Sequence, residues 1–316
     1  MSDPTRPDVV VAGTVSLDLV ASSRDAATAR AAVGNSGANI AVRLAQAGLA
    51  ANFVCLIGTD RVGDLVLEDL SRWGVGIDWI VRRPGYRTPI VYQITTGGGT
   101  GSDVIFSACP RCGTPRGSAL LLPDAAELPT AAWHGAAAAS AVVSDVAGAA
   151  GAPLLRTGTA LTWYEASLRE ATVDEMVDCA AQARIVKVSD EDADFYAPVL
   201  EHPRGRTRHQ LLTRGARGVD WRGPGEPWRN VPTRLAESPV DTIGAGDAFT
   251  AGTIAQLLRD GPPWRLDEAA LEAGAELAAR ACLAVGARGD MTPPSGGSPW
   301  IRDDVRFGCG RCEGAA

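Results

Sequence analysis

Residues 241–254 read Asp-Thr-Ile-Gly-Ala-Gly-Asp-Ala-Phe-Thr-Ala-Gly-Thr-Ile. Three small residues, Gly244, Ala245 and Gly246, precede Asp247 at the start of an apolar run that predicts a helix. Small side chains at a helix N-terminus let backbone N–H groups approach an anion, and the helix dipole favours phosphate there. Asp247 stands beside these donors and can accept a proton from a hydroxyl. An isolated Gly-x-Gly-Asp is more often a plain loop, but an anion cradle with an adjacent base suits phosphoryl transfer to an alcohol.

Outside this stretch, short apolar runs alternate with segments of helical periodicity. The first four, in the order strand, helix, strand, helix, are Val9–Ala12, Gly37–Ala47, Asn52–Ile57 and Val62–Trp73. The alternation continues through Ala138–Ser144, Thr172–Ala183, Ile185–Val188 and His209–Thr213. This pattern predicts an α/β fold with a central, mostly parallel sheet and helices on both faces.

Two segments, at about 15–34 and 86–107, break the alternation and resemble β-hairpins. Apolar residues recur with period two at Ile90, Tyr92 and Ile94, before a glycine-rich turn at Gly97–Gly101. In an α/β fold we expect these segments to form a small β lid beyond the carboxyl ends of the strands, where ligands bind. Residues 222–239, rich in Pro, Gly and Arg, are predicted to be a loop.

Composition narrows the classes of partner. The chain has 316 residues, of which 46% are hydrophobic and 21% charged, and its net charge is −7. A negative charge argues against nucleic acid or an anionic membrane as the main partner. The N-terminus has no apolar signal segment and no apolar stretch of about 18 residues occurs, so we expect a cytoplasmic protein. We predict one domain over residues 1–316, with a cysteine-containing tail at 299–316. This tail is polar, glycine-rich and without helical periodicity, so we expect that packing alone does not hold it in a defined position.

The stretch 241–254 closely resembles the second signature of the PfkB/ribokinase family of sugar and nucleoside kinases, departing at an apolar position occupied by Thr253. The resemblance covers roughly residues 8–295. It implies a ribokinase-like fold and an ATP- and magnesium-dependent kinase. In that mechanism Asp247 takes the proton from a primary alcohol, while the N–H groups of the preceding residues stabilise charge on the phosphoryl group. No Gly-x-x-x-x-Gly-Lys-[Ser/Thr] occurs, which excludes a P-loop enzyme.

The N-terminal third resembles the same family on the sugar side. Gly13-Thr-Val-Ser-Leu-Asp18 is similar to the family's first strand and turn, which implies that Asp18 binds sugar hydroxyls. Gly34-Asn-Ser-Gly37-Ala-Asn39 is similar to its first signature, which implies that Gly37 lets the sugar approach the backbone and that Asn39 binds a hydroxyl. Asn35 stands where the family usually has glycine. Asparagine tolerates left-handed backbone angles, so we expect the turn to survive with a reshaped sugar pocket.

The resemblance also implies a nucleotide side. Ser189 and Asp192 stand where the family orders water around magnesium, and a carboxylate suits that ion. Thr213-Arg-Gly215-Ala-Arg-Gly218 is similar to the family's turn near the ATP phosphates and ribose, where Arg214 would add positive charge. The alanine-rich segment Ala275–Val285 is predicted to be a helix beside adenine.

Three functions stay open at this point. The first is phosphorylation of a sugar hydroxymethyl group, as in fructokinases and ribokinases. The second is a nucleoside kinase, in which Trp133, Tyr92 or Phe106 would form a platform for the base. The third is a non-catalytic sensor of a sugar or nucleotide, which the intact Asp247 disfavours. We also expect a homodimer through the lid.

Two Cys-x-x-Cys pairs lie outside the family pattern. Cys109-Pro-Arg-Cys112 follows the predicted lid, and Cys309-Gly-Arg-Cys312 lies near the end of the chain. Each pair has the spacing with which two thiolates on one tight turn bind a tetrahedral zinc. The sequence therefore suggests one shared structural zinc, provided that the fold brings the pairs together. A redox dithiol and unrelated free cysteines are the alternatives.

Overall fold

The structure, a computed structural model, describes residues 6–95, 104–157, 161–167, 171–233, 238–309 and 312. In chain order the strands are β1 (Val9–Ala12), β2 (Ser16–Ala21), β3 (Thr28–Gly34), β4 (Ala51–Val54), β5 (Leu56–Gly58), β6 (Val81–Arg83), β7 (Ile90–Ile94), β8 (Val104–Phe106), β9 (Ala141–Ser144), β10 (Leu161–Ala166), β11 (Ile185–Ser189), β12 (His209–Thr213), β13 (Val219–Arg222), β14 (Arg229–Val231) and β15 (Arg302–Arg306). The helices are α1 (Ser36–Gln46), α2 (Arg61–Arg72), α3 (Thr130–Ala138), α4 (Gly151–Thr157), α5 (Val173–Gln182), α6 (Ala193–Glu201), α7 (Ala245–Asp260) and α8 (Glu268–Ala281).

The main sheet has the strand order β14-β13-β12-β11-β10-β9-β1-β4. The strands from β12 to β4 are parallel, and β13 and β14 add an antiparallel edge. Successive strand residues enter two different cores. Val9 and Val11 pack with α1, α2, α7 and α8, whereas Val10 and Ala12 pack with α3 to α6. Because both faces are covered, the central strand β1 is apolar at every position, and the predicted α/β class is confirmed.

A second sheet, the lid sheet, has the order β15-β3-β2-β7-β8. It forms from both predicted lid segments, while the turn at Gly97–Gly101 lies outside the described residues. Successive side chains along each of its strands point to opposite faces of the sheet. Asp18 and Gln93 lie on the inner face, which lines a cavity, and Leu19 and Tyr92 pack into an apolar cluster on the outer face.

The C-terminal tail differs from its prediction. The sequence predicted that residues 299–316 lack the packing to hold a position, yet β15 pairs antiparallel with β3. Trp300 and Phe307 flank this strand and are 9% and 1% exposed. The tail is polar because an edge strand keeps most of its side chains in water, and the two aromatic residues anchor its ends.

Two further predictions were wrong in detail, and one strand was missed. Asn52–Ile57 is not one strand, because β4 pairs with β1 and β5 pairs with β6. The predicted loop at 222–239 contains β14, which pairs with β13 through a short, mostly exposed segment. Strand β10 was missed, because Trp-Tyr-Glu-Ala breaks the apolar run, although all its residues are buried.

Within the described ranges, no helix combines the length and the apolar character needed to cross a membrane.

Candidate active site

A cavity of about 1050 Å³ lies between the inner face of the lid sheet and the main sheet. Its walls are the start of α7, the ends of β11 and β12, helix α8, and the lid strands β2 and β7. This position beyond the ends of parallel strands is where open α/β sheets bind ligands. The volume is at the upper limit for a single-ligand pocket, which suits two substrates side by side.

Helix α7 begins at the wall of this cavity with the predicted small residues. Gly244 adopts a φ of 75°, and a Cβ there would lie 2.5 Å from the Cβ of Ala287, so the position requires glycine. The N–H group of Ala245 donates to Thr242 O at 3.2 Å and closes the turn. The N–H groups of Gly244 and Gly246 have no acceptor within the described part of the chain. The anion cradle therefore offers two unused donors rather than the three predicted from the sequence.

Asp247 lies at the base of this cradle and is 8% exposed. Its Oδ2 accepts a hydrogen bond of 2.8 Å from Asn39 Nδ2. Burial raises the pKa of Asp247 to about 6, against the opposing effect of the Asn39 hydrogen bond. A carboxylate with this pKa is ionised near neutral pH, yet it is a stronger base than an exposed aspartate. This environment suits a general base.

A buried ion pair lies beside the cradle. Lys187 on β11 contacts Glu165 on β10, and the two side chains are 6% and 1% exposed. Glu165 also accepts hydrogen bonds from Thr250 Oγ1 at 2.6 Å and from Trp163 Nε1 at 3.1 Å. A Cβ on Gly246 would lie 3.0 Å from Lys187 Nζ, so the only lysine of the chain places its charge against the anion cradle.

A second buried network orients Asn39. Arg288 Nε donates to Asn39 Oδ1 at 3.2 Å, and Arg288 Nη1 donates to Asp69 Oδ2 at 2.9 Å. Because the amide oxygen of Asn39 accepts from the Arg288 guanidinium, the amide nitrogen on the other side of the group is directed at Asp247. Sequence reasoning missed Arg288, because it lies in an irregular segment after α8 and its partners are distant in the chain.

Of the residues predicted for the sugar side, Asp18 lies on the inner face of the lid sheet, whereas Gly37 and Asn39 lie on α1. Asp18 lines the cavity and accepts a 2.5 Å hydrogen bond from Ser16 Oγ. Burial raises the pKa of Asp18 to about 6. Gln93, which the sequence reading did not single out, also lines the cavity, is 3% exposed and has an Nε2 without a partner in the described chain. A buried unpaired amide at this wall can donate to a ligand oxygen.

Gly37 has a packing role in the structure, and its predicted contact with a sugar stays a prediction. It is absent from the cavity wall, and a Cβ on it would lie 2.6 Å from the Cα of Gly13. Its N–H group donates to Asp145 Oδ2 at 2.7 Å, and the same carboxylate accepts from the Thr14 N–H. Glycine is therefore needed here for the close approach of α1 to the turn after β1.

Asn35 carries backbone strain at the cavity wall. It caps α1 with φ 78° and ψ 157°, a combination populated almost only by glycine. Its side chain makes no capping bond, and its Nδ2 lies 3.3 Å from Ser16 Oγ. The turn is thus formed with asparagine, as expected. Its backbone angles, however, lie outside the left-handed helical region, which is the one that asparagine tolerates well.

The residues predicted for the nucleotide side line the other end of the same cavity. They are Ser189, Asp192, Thr213, Arg214, Gly215, Gly218, Ala275, Ala278 and Ala279. Arg214 forms an ion pair with Asp220, which reduces the charge it offers to a phosphate. The alanines belong to α8, which ends at Ala281 and so stops short of the predicted Val285.

The predicted platform for a nucleoside base is not assembled. Tyr92 is fully buried on the outer face of the lid sheet, where its ring meets Phe307 at 5.4 Å between centroids. Trp133 packs against the core formed by α3 to α6. The side chain of Phe106 lies outside the described part of the chain. The alternative of a nucleoside kinase is therefore not favoured.

The two cysteine pairs meet on the outer face of the lid sheet. The Sγ atoms of Cys109, Cys112, Cys309 and Cys312 all lie within 4.8 Å of one another. The fold thus fulfils the condition that the sequence reading set for a shared site.

A family sequence model described as pfkB family carbohydrate kinase matches residues 6–294 of the chain. The chain belongs to this family. It is 28% identical over 287 residues to a fructokinase of Escherichia coli, an alignment that covers 82% of this chain and 87% of the relative. It is 26% identical over 284 residues to fructokinase-1 of Oryza sativa subsp. japonica, covering 84% of this chain and 85% of the relative. The predicted family is thus confirmed for this pfkB-family chain.

Solved structures support the fold of this carbohydrate-kinase family member. A ribokinase of Arabidopsis thaliana complexed with ribose and ATP matches with a TM-score of 0.71 at 18% identity, covering 90% of this chain and 96% of that one. A fructokinase with bound ATP from Xylella fastidiosa matches with a TM-score of 0.67 at 21% identity, covering 90% and 94%. These matches confirm the predicted ribokinase-like fold.

Proposed function

We propose that this chain is an ATP-dependent kinase that phosphorylates a hydroxymethyl group of a sugar. The observation that carries the proposal is the buried Asp247 beside two unused N–H donors at the start of α7. A base and an anion cradle lie together there, between a lid wall with Asp18 and Gln93 and a wall with the turn at Thr213. The relatives that are fructokinases and a ribokinase support this assignment.

The geometry accounts for phosphoryl transfer in one step. Asp18 and Asn39 hold the sugar, and Asp247 takes the proton of its hydroxymethyl group as that oxygen bonds to the γ-phosphorus of ATP. The bond from the γ-phosphorus to the bridging oxygen breaks, and ADP leaves. The N–H groups of Gly244 and Gly246 and the charge of Lys187 stabilise the negative charge on the transferred group. The lid sheet excludes water, which suppresses hydrolysis of ATP.

Magnesium fits the acidic end of β11. Asp192 and its neighbour Asp190 line the cavity and offer the oxygen ligands that magnesium prefers, either directly or through water. Bound magnesium would reduce the negative charge of the ATP phosphates. Among the chain's own residues, Asp190 also pairs with Arg217, which holds this acidic turn against the turn after β12.

The function is tested with purified protein, ATP and magnesium against panels of sugars and nucleosides. We expect phosphorylation of a ketose or aldose and no transfer to nucleosides. Transfer to a nucleoside alone would support the nucleoside kinase, and binding without transfer to any acceptor would support a sensor. Both results would contradict the proposal.

We predict that Asp18→Ala raises the sugar KM about 10- to 100-fold, because it removes charge-assisted hydrogen bonds to sugar hydroxyls. The ATP KM should stay within about twofold, since Asp18 lies on the lid wall. Steady-state kinetics with each substrate varied in turn measures both values. The surface variant Asp64→Ala is the matched control. Equal increases in the two KM values would remove Asp18 from the sugar site.

Asn39→Ala should behave differently from Asp18→Ala. It too should raise the sugar KM far more than the ATP KM, but Asn39 also donates to Asp247. We therefore expect a lower kcat as well, because the base loses a partner that orients it.

Asn35→Gly should stabilise the protein by about 1 kcal/mol, since it relieves a backbone conformation that costs asparagine about 1–3 kcal/mol. Urea denaturation measures the change in the free energy of unfolding. In the control Asn230→Gly, which changes a residue with ordinary backbone angles on β14, glycine should lower stability. A stability of Asn35→Gly below that of the parent would contradict the strain at this turn.

Other expectations stay predictions. These are the single domain over residues 1–316, a cytoplasmic location, and the lack of a nucleic-acid or membrane partner. A homodimer through the lid is also untested. In the described part of the lid sheet the two edge strands are β15 and β8, with the tail strand β15 next to β3.

A further inference from the structure

The cysteine cluster, consisting of Cys109, Cys112, Cys309 and Cys312, has the spacing of a tetrahedral metal centre. Its Sγ–Sγ separations include 3.2 Å between Cys112 and Cys309, 3.6 Å between Cys109 and Cys312, and 3.7 Å between Cys309 and Cys312. Four thiolates about 2.3 Å from one zinc ion lie about 3.8 Å apart. A disulfide requires about 2.05 Å, so these separations do not indicate oxidised pairs.

We propose that this cluster binds one structural zinc ion, which fastens the C-terminal tail to the outer face of the lid sheet. Four protein thiolates leave no open coordination position, as in structural rather than catalytic zinc sites. No cysteine of the cluster lines the active-site cavity, which agrees with a structural role.

A main-chain hydrogen bond to the first cysteine of each pair is present. The Gly113 N–H donates to Cys109 O at 2.8 Å, and Gly113 adopts a φ of 68° that favours glycine. The Cys312 N–H donates to Cys309 O at 2.9 Å. Thr114 Oγ1 lies 3.2 Å from Cys112 Sγ, where its hydroxyl can donate to a thiolate. A hydrogen bond from a neighbouring group to a metal ligand fixes the orientation of that ligand.

The site is buried on one side and open on the other. Cys109 and Cys309 are 1% and 5% exposed and belong to the apolar cluster of Tyr92 and Phe307. Cys112 is exposed and Cys312 is half-buried. Packing therefore holds Cys109 and Cys309 in place, while a metal ion can reach the cluster from solvent beside Cys112 and Cys312.

The cluster joins segments that are far apart in the sequence. Cys112 and Cys309 are separated by 197 positions, and the segment between α8 and Cys309 contributes β15 to the lid sheet. The Tyr92 hydroxyl donates to Gly308 O at 3.1 Å, next to Cys309. Val91 and Gln93, the neighbours of Tyr92, line the cavity on the other face. A metal ion at the cluster would thus restrict the movement of β7, which forms part of the sugar-side wall.

Elemental analysis of the full chain, purified without added metal, should find about one zinc per chain. Cys309→Ser/Cys312→Ser should lose the zinc, melt about 5 °C or more lower, and be cleaved faster by protease in its C-terminal tail. The control Cys179→Ala, which changes a cysteine in the core, should keep the zinc. A chain free of zinc and other metals with full thermal stability would overturn the site. So would a mass showing two disulfides within the cluster.

Cobalt substitution tests the ligand set, and its first readout uses the full chain without any substitution. Cobalt added to the metal-depleted full chain should produce the absorption of tetrahedral tetrathiolate cobalt, including thiolate-to-metal charge transfer. Replacement of the exposed ligand by Cys112→Ser should shift this spectrum. A spectrum of octahedral cobalt, or one unchanged in Cys112→Ser, would overturn the four-thiolate centre.

The effect on the lid sheet rests on the proposed function and has its own readout. Loss of the zinc should raise the sugar KM while the ATP KM stays unchanged. Equal changes in both, or none, would overturn the link between the cluster and the sugar wall. Zinc content and melting temperature do not depend on activity, so failure of the kinase assignment is distinguishable from failure of the metal site.

Discussion

Asp247→Asn is expected to lower kcat by about 10²–10⁴-fold, because an amide cannot take the proton of the acceptor hydroxyl. The fold should survive, since the amide keeps the shape of the side chain and can still accept the hydrogen bond from Asn39. ATP binding should also be retained, because the N–H donors of the cradle are main-chain groups. Steady-state kinetics and calorimetric titration with ATP measure the two quantities.

Two controls sharpen this prediction. Asp260→Asn makes the same chemical change at the exposed far end of α7 and should leave kcat unaltered. The pH dependence adds a second test. Because burial raises the pKa of both Asp247 and Asp18 to about 6, kcat/KM of the parent should be fully present above that pH and fall as the pH drops through it. The fall should persist in Asp18→Ala, where Asp247 alone remains. Near-normal turnover by Asp247→Asn at neutral pH would contradict the role of this base.

Lys187→Met is expected to lower the free energy of unfolding by about 3–5 kcal/mol, because it leaves Glu165 buried without its ionic partner. The pair is almost fully enclosed, and Thr250 and Trp163 satisfy only one of the two carboxylate oxygens. Urea denaturation measures the loss. The matched control Arg82→Met breaks an exposed pair with Asp64 and should cost less than about 1 kcal/mol.

The double variant Lys187→Met/Glu165→Gln separates stability from catalysis. Replacing both charges should restore most of the stability, since a buried ion pair contributes little beyond apolar or neutral partners. The kcat should stay about 10²-fold low, because the positive charge beside Gly246 is still missing from the anion cradle. Full recovery of kcat in the stable double variant would show that Lys187 acts on the fold alone.

The start of α7 was predictable because its causes are local. Gly244 must adopt a positive φ and Asp247 must follow it within one turn, and both requirements are written in consecutive residues. The strand and helix pattern was equally local, as at β12, whose predicted bounds match the observed His209–Thr213. The close contact of Gly37 with Gly13 was not predictable from the sequence, since only the packed chain brings the two residues together.

The buried networks of the site were not predictable in the same way. Arg288 bonds Asn39 and Asp69 across 249 and 219 positions, and nothing in Gly-Ala-Arg-Gly-Asp distinguishes it from an exposed arginine. A signal did exist for Lys187, because a lysine inside the apolar run Ile-Val-Lys-Val-Ser must be exposed, or paired in the interior. Its partner Glu165 was hidden in the one parallel strand that the pattern missed.

The amino-acid sequence determined the layered α/β fold and the position of Asp247 at the start of a helix, because periodicity, turn chemistry and helix starts depend on neighbours in the chain. The family followed from the resemblance of residues 241–254 to a family signature. The sequence also supplied the cysteine spacing. Only the tertiary structure decided that Asn39 and Lys187 flank the cradle, that Tyr92 turns away from the cavity, and that the tail reaches the lid sheet. Those facts depend on contacts between distant segments, which chain packing creates and local sequence does not encode.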